Sequence, residues 1–238
     1  MANHQPTLTE ISRSYDEKFE RGELQESPRF YRWVLRCLDP EPAASLLDVS
    51  CGAGLMLSAA ARRRGIQAWG IDISTAALKL AWNEAPEVRL VRCDALALPF
   101  TSGSFDYITN LGSLEHYGDI VQGVNEMARV LRPGGRAAIL LPNGYYLADI
   151  VWWVLRKGYG PSHKQLMEKF ATAGEWRDLL TAGGIRVERT YAYNFCFPRS
   201  VADWQWYRRY PRKLLNLLVA PLVPFNLAYS FLFIGTKG

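Results

Sequence analysis

From Ser45 onward, short apolar runs alternate with segments whose apolar residues recur at helical spacing. Short apolar runs are typical of strands that are buried on both faces, and helical spacing is typical of helices with one buried face. Strands and helices in alternation form a parallel sheet that helices cover on both sides. We therefore predict an α/β fold with a doubly wound sheet.

Glycine, proline and the apolar spacing set the predicted boundaries of each element. The predicted strands are 45–49, 67–72, 88–92, 105–110, 136–141, 185–191 and 227–236, and the helices between them are 55–64, 74–84, 119–131 and 174–182. Two more helices precede the sheet. The first follows a capping box of Thr7 and Glu10, and the second begins at Ser27. The apolar stripe of the first consists of Leu8, Ile11, Tyr15 and Phe19.

The chain of 238 residues is long enough for one α/β domain with insertions, and its 49% of hydrophobic residues excludes a largely disordered protein. Within that domain we expect an N-terminal helical cap over 1–40 and a ligand-binding core over 41–143. A lid insertion and a helix are expected over 144–184. The segment 185–238 should hold the C-terminal strands and an apolar and basic helical insertion.

The four cysteines lie far apart without a CxxC pair, so the sequence predicts neither a zinc site nor a disulfide framework. The N-terminus lacks the basic start and apolar run of a signal peptide. We expect a cytoplasmic protein. The net charge of +5 is mostly dispersed along the chain and does not by itself indicate a partner.

The most specific motif is a buried strand that runs into a glycine turn and then a helix, LLDVSCGAG at 46–54. Glycine allows the backbone there to approach a ligand that lies across the strand ends. A purely structural turn is one alternative. A nicotinamide cofactor is another, but its motif expects a third glycine where Leu57 stands and has no acid at the position of Asp48.

Three aspartates accompany the next strands. Asp72 ends the second strand, where a carboxylate can accept hydrogen bonds from both hydroxyls of a ribose. Asp94 follows the third strand, where it could accept from an adenine amine, and Asp106 begins the fourth. A single aspartate at a strand end is commonly a turn or cap residue, so only the ordered set favours an adenosine site.

Over residues 45–191 the chain resembles the class I S-adenosylmethionine-dependent methyltransferases of the small-molecule type, which include the ubiquinone and menaquinone methyltransferases. The resemblance is carried by LDVSCGAG, GIDIS, RCDALALPF, SFDYITNLGSLEH and EMARVLRPGG, and LAYSFLFIGTKG resembles the closing strand of that fold. It implies a Rossmann-like, mostly parallel sheet of seven strands with an antiparallel last strand. It also implies S-adenosylmethionine as the cofactor and S-adenosylhomocysteine as its product.

The resemblance further implies which residues hold the cofactor. Asp48 and the glycine loop face the methionine part, and Asp72 faces the ribose. Asp94 and Ala95 face the adenine, and Asn110 faces the backbone near the sulfonium. The implied cofactor-binding set is Tyr15, Asp48, Ser50, Cys51, Gly52, Gly54, Asp72, Ile73, Asp94, Ala95 and Asn110.

Two positions depart from the family pattern. Ser50 stands where a glycine usually precedes the cysteine, which predicts a slightly altered loop. Gly112 stands where ubiquinone-type O-methyltransferases commonly have a metal-holding glutamate, so we predict no metal site.

Tyr15 resembles a tyrosine that closes over the cofactor, and core packing is the alternative interpretation for it.

Methyl transfer from a sulfonium is an in-line displacement, so the enzyme must chiefly align the nucleophile behind the methyl group. For a hydroxyl acceptor the predicted general base is His116, together with Glu115, just beyond the fourth strand. The alternative is that His116 caps the following helix or hydrogen-bonds Glu115. His163 is a weaker candidate, because a histidine beside Lys164 is commonly solvated surface.

The acceptor is predicted to be a small molecule. The segment 110–113 resembles neither the Asn/Asp-Pro-Pro-aromatic nor the Pro-Cys pattern of base methyltransferases, so no nucleic-acid partner is predicted. Large aromatic residues in the insertions favour an aromatic or lipid-like acceptor, with packing onto the sheet as the alternative. They are Tyr145, Tyr146, Trp152, Trp153, Trp204, Trp206, Tyr207 and Tyr210.

Residues 214–234 are apolar, but prolines and asparagines interrupt them, so they predict no membrane span. Basic residues precede this run. Peripheral contact of 208–220 with an anionic bilayer is therefore one interpretation, and an ordinary helix packed against the sheet is the other.

The sequence thus predicts an S-adenosylmethionine-dependent methyltransferase that methylates an oxygen of a small or amphipathic molecule. One alternative is a non-catalytic subunit that binds S-adenosylmethionine, and another is transfer to nitrogen or carbon. A nucleotide-dependent oxidoreductase is a more distant alternative. The oligomeric state is left open.

Overall fold

The computed structural model describes residues 7–21, 26–63, 65–159 and 169–238. Its strands are β1 Ser45–Val49, β2 Gln67–Asp72, β3 Arg89–Arg92, β4 Phe105–Leu111, β5 Leu131–Pro142, β6 Ile185–Tyr193 and β7 Ser230–Lys237. Among the described residues they form a seven-stranded sheet in the order β3-β2-β1-β4-β5-β7-β6. Strands β1 to β5 pair in parallel, and β7 is antiparallel to both β5 and β6. The predicted sheet with its antiparallel last strand is confirmed.

Helices flank this sheet and fill the connections between its strands. They are α1 Leu8–Glu20, α2 Pro28–Leu38, α3 Leu55–Ala61, α4 Thr75–Glu84, α5 Ile120–Val130, α6 Leu147–Asp149, α7 Ala173–Ala182, α8 Val201–Arg209 and α9 Pro211–Val219. A π-helical stretch, Ile150–Leu155, continues α6, and short 3-10 turns lie at Leu114–His116, Ala220–Leu222 and Phe225–Leu227. Within the described ranges, no helix combines the length and the apolar composition needed to cross a bilayer.

The two faces of the sheet carry separate apolar cores, because successive side chains of a strand point to opposite faces. On β1, Leu46 packs into one core and Leu47 into the other, and both are fully buried. Residues of α5 and α7 pack with Leu47, whereas residues of α2 and α3 pack with Leu46. Because helices occupy both faces, a ligand can approach the sheet centre only at the strand ends.

Helix α3 and strand β5 differ from their predicted bounds, each at a turn that contains glycine. Helix α3 ends at Ala61 rather than continuing to residue 64, because the chain already turns there: the amide of Arg63 donates to the carbonyl of Ala60. Strand β5 begins at Leu131 rather than at Arg136. Leu131 pairs with Phe105 and Arg136 with Tyr107, so an irregularity in β5 between those pairs accommodates the glycines that were predicted to precede the strand.

The closing strand begins later than predicted. Residues Phe225–Leu227 form a 3-10 turn, and the amide of Tyr229 donates to the side chain of Asn194 instead of to a neighbouring strand. Strand β7 therefore starts at Ser230 rather than at Leu227. The other strands agree with the prediction to within a residue or two at their ends.

Helix α1 lies against the end of β2 and the start of α4. The capping box predicted at Thr7 and Glu10 is present. Ser12 Oγ donates to the carbonyl of Ile73 over 3.1 Å. Asp16 Oδ1 accepts from Ser74 Oγ at 2.6 Å and from the amide of Ala76 at 3.0 Å. These bonds hold α1 over the carboxyl edge of the sheet.

Candidate active site

A cavity of about 380 Å³ opens at the carboxyl edge of the sheet, beneath α1. The strand order reverses between β1 and β4, and ligands of open α/β sheets bind at such a point. Most of the predicted site residues line this cavity. They are Tyr15, Asp48, Ser50, Cys51, Gly52, Asp72, Ile73, Asp94, Ala95 and His116.

Helix α1 supplies one wall of the cavity with the apolar stripe seen in the sequence. All of its members, Leu8, Ile11, Tyr15 and Phe19, border the cavity. Phe19 is buried, whereas Leu8 is 54% exposed. The stripe that predicted a core-facing helix therefore faces the ligand space, and the helical period alone could not distinguish the two.

Asp48 is the deepest acid of the site. It is 3% exposed, and its Oδ1 accepts a 2.6 Å hydrogen bond from Thr109 Oγ1 on β4. Burial raises the pKa of this carboxyl to about 7, with Thr109 opposing the shift and the nearby charge of Asp72 adding to it. A carboxylate oxygen has room for further donors, so Asp48 can hold a ligand amine.

Asp72 ends β2 beside it and is fixed by the backbone. Its Oδ2 accepts from the amide of Gly52 at 2.9 Å, and its Oδ1 accepts from the amide of Ser74 at 2.8 Å. Burial raises its pKa, and these amide bonds oppose that shift. The carboxylate joins the glycine loop after β1 to the N-terminus of α4, and its remaining lone pairs border the cavity.

No basic side chain among the described residues neutralises the two carboxylates. The ion pairs there include neither Asp48 nor Asp72, and the charge of Asp72 raises the pKa of Asp48 further. Buried charges are costly unless a partner compensates them. The site therefore favours a cationic ligand.

The two glycines of the loop have different tasks. Gly52 has φ +53 and borders the cavity, where a Cβ would lie 3.1 Å from the ring of Phe19. Gly54 has φ +76 but does not line the cavity; its Cβ would lie 2.8 Å from that of Ala81 on α4. Gly54 permits α3 and α4 to pack closely, a role the prediction of a cofactor contact did not include.

Asn110 lies beneath the cavity rather than in its wall. Its Nδ2 donates to the carbonyl of Val49 at 3.1 Å and to Tyr117 Oη at 2.9 Å, and its Oδ1 accepts from the amide of Leu114. The side chain is fully buried. It joins β1 to the loop after β4, so the structure does not bring it to the ligand space as predicted.

Ser50 takes the backbone conformation that favours glycine, with φ +60. Its Oγ lies 2.7 Å from Tyr117 Oη. Since Asn110 donates to that same phenol oxygen, the phenol proton is available to Ser50. Burial raises the pKa of Tyr117, which keeps this proton in place. The hydrogen bond offsets the strain of a serine where the family pattern has glycine.

This compensation gives a testable difference between two backgrounds. In the wild type, Ser50→Gly relieves backbone strain but loses the bond to Tyr117, so we expect a change in unfolding free energy near zero. In a Tyr117→Phe background only the relief remains, and the same substitution should stabilise the protein by about 1 kcal/mol. Urea unfolding of the four proteins measures the coupling. Equal effects in both backgrounds would show that the hydroxyls do not interact energetically.

His116 and Glu115 lie on the 3-10 turn after β4. The imidazole borders the cavity, and its Nε2 is 3.7 Å from Glu115 Oε1. This separation is within ion-pair range and longer than a hydrogen bond. The alternative that His116 caps the next helix is wrong, because Asp119 caps α5 through the amide of Gln122.

The remaining predicted residues differ in where they lie. Asp94 borders the cavity, and its Oδ1 accepts from the amide of Leu96 at 2.9 Å. Asp106 lies at the amino end of β4, where it accepts from Ser45 and forms an ion pair with Arg132, so it is not part of this site. His163 lies outside the described residues.

The sequence left part of the cavity wall unpredicted. Tyr31 of α2 borders the cavity, as do the residues of the loop after β4. The sequence indicated this loop only weakly, through the glycines at 112 and 118, and Gly112 does adopt a positive φ of +74. Tyr31 left no signal, because its helix meets the site only through tertiary packing. In the described parts of the chain, no cluster of three or more metal-ligating acids, histidines or cysteines occurs.

Comparison with known proteins identifies the family. A model described as "Methyltransferase domain" matches residues 47–139. The 2-phytyl-1,4-naphtoquinone methyltransferase of Thermosynechococcus vestitus is 32% identical over 170 residues, which cover 68% of this chain and 76% of that protein. The chain belongs to the S-adenosylmethionine-dependent methyltransferases.

Two further proteins are similar to this methyltransferase. A demethylmenaquinone methyltransferase of Beutenbergia cavernae is 32% identical over 130 residues, 55% of this chain and 54% of that protein, so the match spans about half of that relative. Geranyl diphosphate C-methyltransferase from Streptomyces coelicolor A3(2), solved with S-adenosyl-L-homocysteine, has a TM-score of 0.69 at 14% identity and covers 100% of both chains. That likeness shows the shared fold.

The cavity of this methyltransferase fits S-adenosylmethionine, its methyl donor. The donor carries a positive sulfonium and a positive ammonium, and the cavity presents the buried acids Asp48 and Asp72. Asp94 and Ala95 border the same cavity. The interpretation of the glycine turn as a nicotinamide site is wrong.

Proposed function

We propose that this methyltransferase transfers the methyl group, in line, to an oxygen of a small amphipathic aromatic molecule. The observation that carries the proposal is the position of His116, which borders the same cavity as Asp48 and Asp72. A hydroxyl acceptor must lose its proton as the new bond forms, and a histidine is suited to take it near neutral pH.

The class of acceptor is supported by the relatives and by the cavity wall. The relatives are named for 2-phytyl-1,4-naphtoquinone and demethylmenaquinone, which are aromatic quinones. Tyr31, Leu111 and Tyr117 border the cavity and offer apolar and aromatic surface to such a ring. A quinone carries carbonyl oxygens, so the hydroxyl acceptor of this proposal would be the reduced, hydroquinone form of such a ring.

The residues of the chain act mainly by positioning. Bound S-adenosylmethionine supplies a methyl group activated by its sulfonium. Asp48 would hold the ammonium and Asp72 the ribose hydroxyls. The imidazole of His116 takes the acceptor proton, and the carboxylate of Glu115, 3.7 Å from Nε2, stabilises the resulting imidazolium. Alignment of two reactants supplies about 7 to 11 kcal/mol, and a general base adds about 10² to 10⁴ in rate.

Replacement of His116 tests the assigned base. We expect His116→Ala to lower turnover by about 10² to 10⁴, because the acceptor proton then has no positioned base. Affinity for S-adenosylhomocysteine should change little, since Asp48 and Asp72 are intact. Turnover is measured as labelled methyl transferred from S-adenosylmethionine to a 1,4-naphthohydroquinone under anaerobic conditions, and affinity by calorimetry.

The product distinguishes the remaining alternatives. Nuclear magnetic resonance of the labelled product separates a methoxy group from a methyl on a ring carbon, and a C-methyl or N-methyl product contradicts the oxygen assignment. Unchanged turnover in His116→Ala removes this residue from the reaction. A protein that binds the donor and labels neither hydroquinones nor a metabolite extract would be a non-catalytic subunit.

A further inference from the structure

Two segments of the chain expose large apolar side chains that the methyl-transfer site does not use. One is 145–159, which contains α6 and its π-helical continuation, and the other is 211–227, which begins with α9. We call their exposed apolar residues the docking face. Its most exposed members are Leu155 at 75%, Tyr159 at 74%, Leu222 at 82%, Leu218 at 69% and Leu215 at 64%.

Helix α9 is apolar on both of its sides. Leu214 and Leu217 pack inward against the core that includes Tyr207, whereas Leu215 and Leu218 point outward. No residue from 211 to 227 is buried. Apolar side chains on two sides of a helix are best buried when each side has a partner, and only the inner side of α9 has one within the described chain.

The two segments leave the sheet at the same edge and are tied together there. Pro142 at the end of β5 pairs with Ser230 at the start of β7. Just beyond them, Asn143 Nδ2 donates to the carbonyl of Asn226 at 2.9 Å, and the rings of Tyr146 and Tyr229 are 5.2 Å apart. Since β5 runs parallel to β1 and β4, this is the edge that opens into the active-site cavity.

The charges beside the docking face are almost all positive. Between them the two segments contain a single acid, Asp149. Arg156 and Lys157 stand over the ring of Trp152, at 4.9 Å and 5.8 Å from its centroid. Three more exposed arginines precede or begin α9, at 208, 209 and 212. Lys213 does not count among them, because its Nζ is 3.0 Å from Glu26.

We propose that the docking face binds the surface of an anionic lipid bilayer. Tryptophan and tyrosine prefer the headgroup boundary, leucines enter the acyl region, and arginine and lysine pair with lipid phosphates. The docking face has the same arrangement: leucines and a tryptophan are exposed, and arginines and lysine lie beside them. Docking by this face would also bring the mouth of the cavity to the bilayer, where an acceptor with an apolar tail resides; this last point rests on the proposed function.

Co-sedimentation with vesicles tests the proposal on the full chain. The probes are vesicles of phosphatidylcholine alone and of phosphatidylcholine with an equal amount of phosphatidylglycerol, at low and high salt. We expect binding to the anionic vesicles that weakens with salt, and a blue shift of tryptophan fluorescence. The double variant Leu215→Glu/Leu218→Glu should bind at least about tenfold more weakly than the wild type, because it places charge in the acyl region. The matched control is Trp82→Glu/Val121→Glu, at positions 58% and 55% exposed on α4 and α5, and it should bind like the wild type.

Other outcomes overturn the proposal. They are absence of binding, equal binding of wild type and the Leu215→Glu/Leu218→Glu variant, and loss of binding in the Trp82→Glu/Val121→Glu control. A wild-type dimer that this Leu215→Glu/Leu218→Glu variant dissociates, measured by light scattering, would show that a second copy covers the face. A thermal shift with S-adenosylhomocysteine verifies that each variant is folded. Methyl transfer to a soluble hydroquinone is measured without vesicles, so failure of docking and failure of the proposed reaction are separate results.

Discussion

Asp48→Asn should abolish tight binding of S-adenosylmethionine and, at about pH 8, make the ligand-free methyltransferase more stable than the wild type. Both effects have one cause, the buried carboxylate. It is 3% exposed and has Thr109 as its hydrogen-bond donor on β4. Removing one member of a buried charge pair costs about 2 to 5 kcal/mol, so affinity for the donor should fall by about 30-fold to several thousand-fold.

The stability effect follows from the direction of the pKa shift. The pKa of Asp48 is raised from 3.8 to about 7 in the folded protein. Between those values the folded protein keeps a proton that the unfolded chain has released. Its stability therefore falls as pH rises through this window, and above it the whole penalty is present. Asparagine stays neutral and can still accept from Thr109, so we expect a gain of about 2 to 4 kcal/mol.

Thermal unfolding of the ligand-free proteins across this pH window measures the gain, and calorimetry measures binding. Asp178→Asn is the matched control, since Asp178 is exposed on α7 and its substitution should alter neither property. Below about pH 4, where Asp48 is protonated in both the folded and the unfolded wild type, the two proteins should converge. If Asp48→Asn melts below the wild type at high pH, the buried charge of Asp48 does not destabilise the ligand-free protein, and the prediction is wrong.

Gly54→Ala should destabilise the protein by about 3 kcal/mol, because it combines backbone strain with overpacking. Gly54 has φ +76, which costs an alanine about 1 to 2 kcal/mol. The new Cβ would lie 2.8 Å from the Cβ of Ala81 and 2.9 Å from its Cα, so α3 and α4 would have to separate. The glycine loop that carries Gly52 lies at this junction, and its bond to Asp72 should loosen as well.

Gly65→Ala is the control for Gly54→Ala. Gly65 has φ +68, and a Cβ there would meet nothing within 4 Å. It should therefore show the strain alone, about 1 kcal/mol. Urea unfolding gives both values, and their difference isolates the cost of packing α3 against α4. Equal losses at the two glycines would mean that close helix contact is not what Gly54 provides.

The sheet and the acids of the site were predictable because their signals are local. Asp48 precedes the glycine turn within one motif, and Asp72 ends the next strand. Parallel strands bring their carboxyl ends to one edge, so these acids had to meet once the alternation of strands and helices was recognised. The buried alternation of Leu46 and Leu47 likewise follows from the strand period.

The remaining site residues depend on tertiary contacts that no local pattern encodes. Asn110 and Tyr31 show this in opposite ways. Asn110 follows the family motif, but its side chain forms hydrogen bonds with Val49, Tyr117 and Leu114 below the cavity. Tyr31 belongs to an ordinary amphipathic helix, and the packing of α2 against α3 and β5 brings it to the cavity.

The hydrogen bonds of α1 have a consequence for the turnover cycle. Ser12 and Asp16 fasten this helix to Ile73, Ser74 and Ala76, around the end of β2. The inner surface of the helix is a wall of the ligand space, and any lifting of the helix to exchange product for fresh donor would have to break those bonds. We therefore expect the residence time of S-adenosylhomocysteine to depend on Ser12 and Asp16, two polar side chains far from the chemistry of methyl transfer.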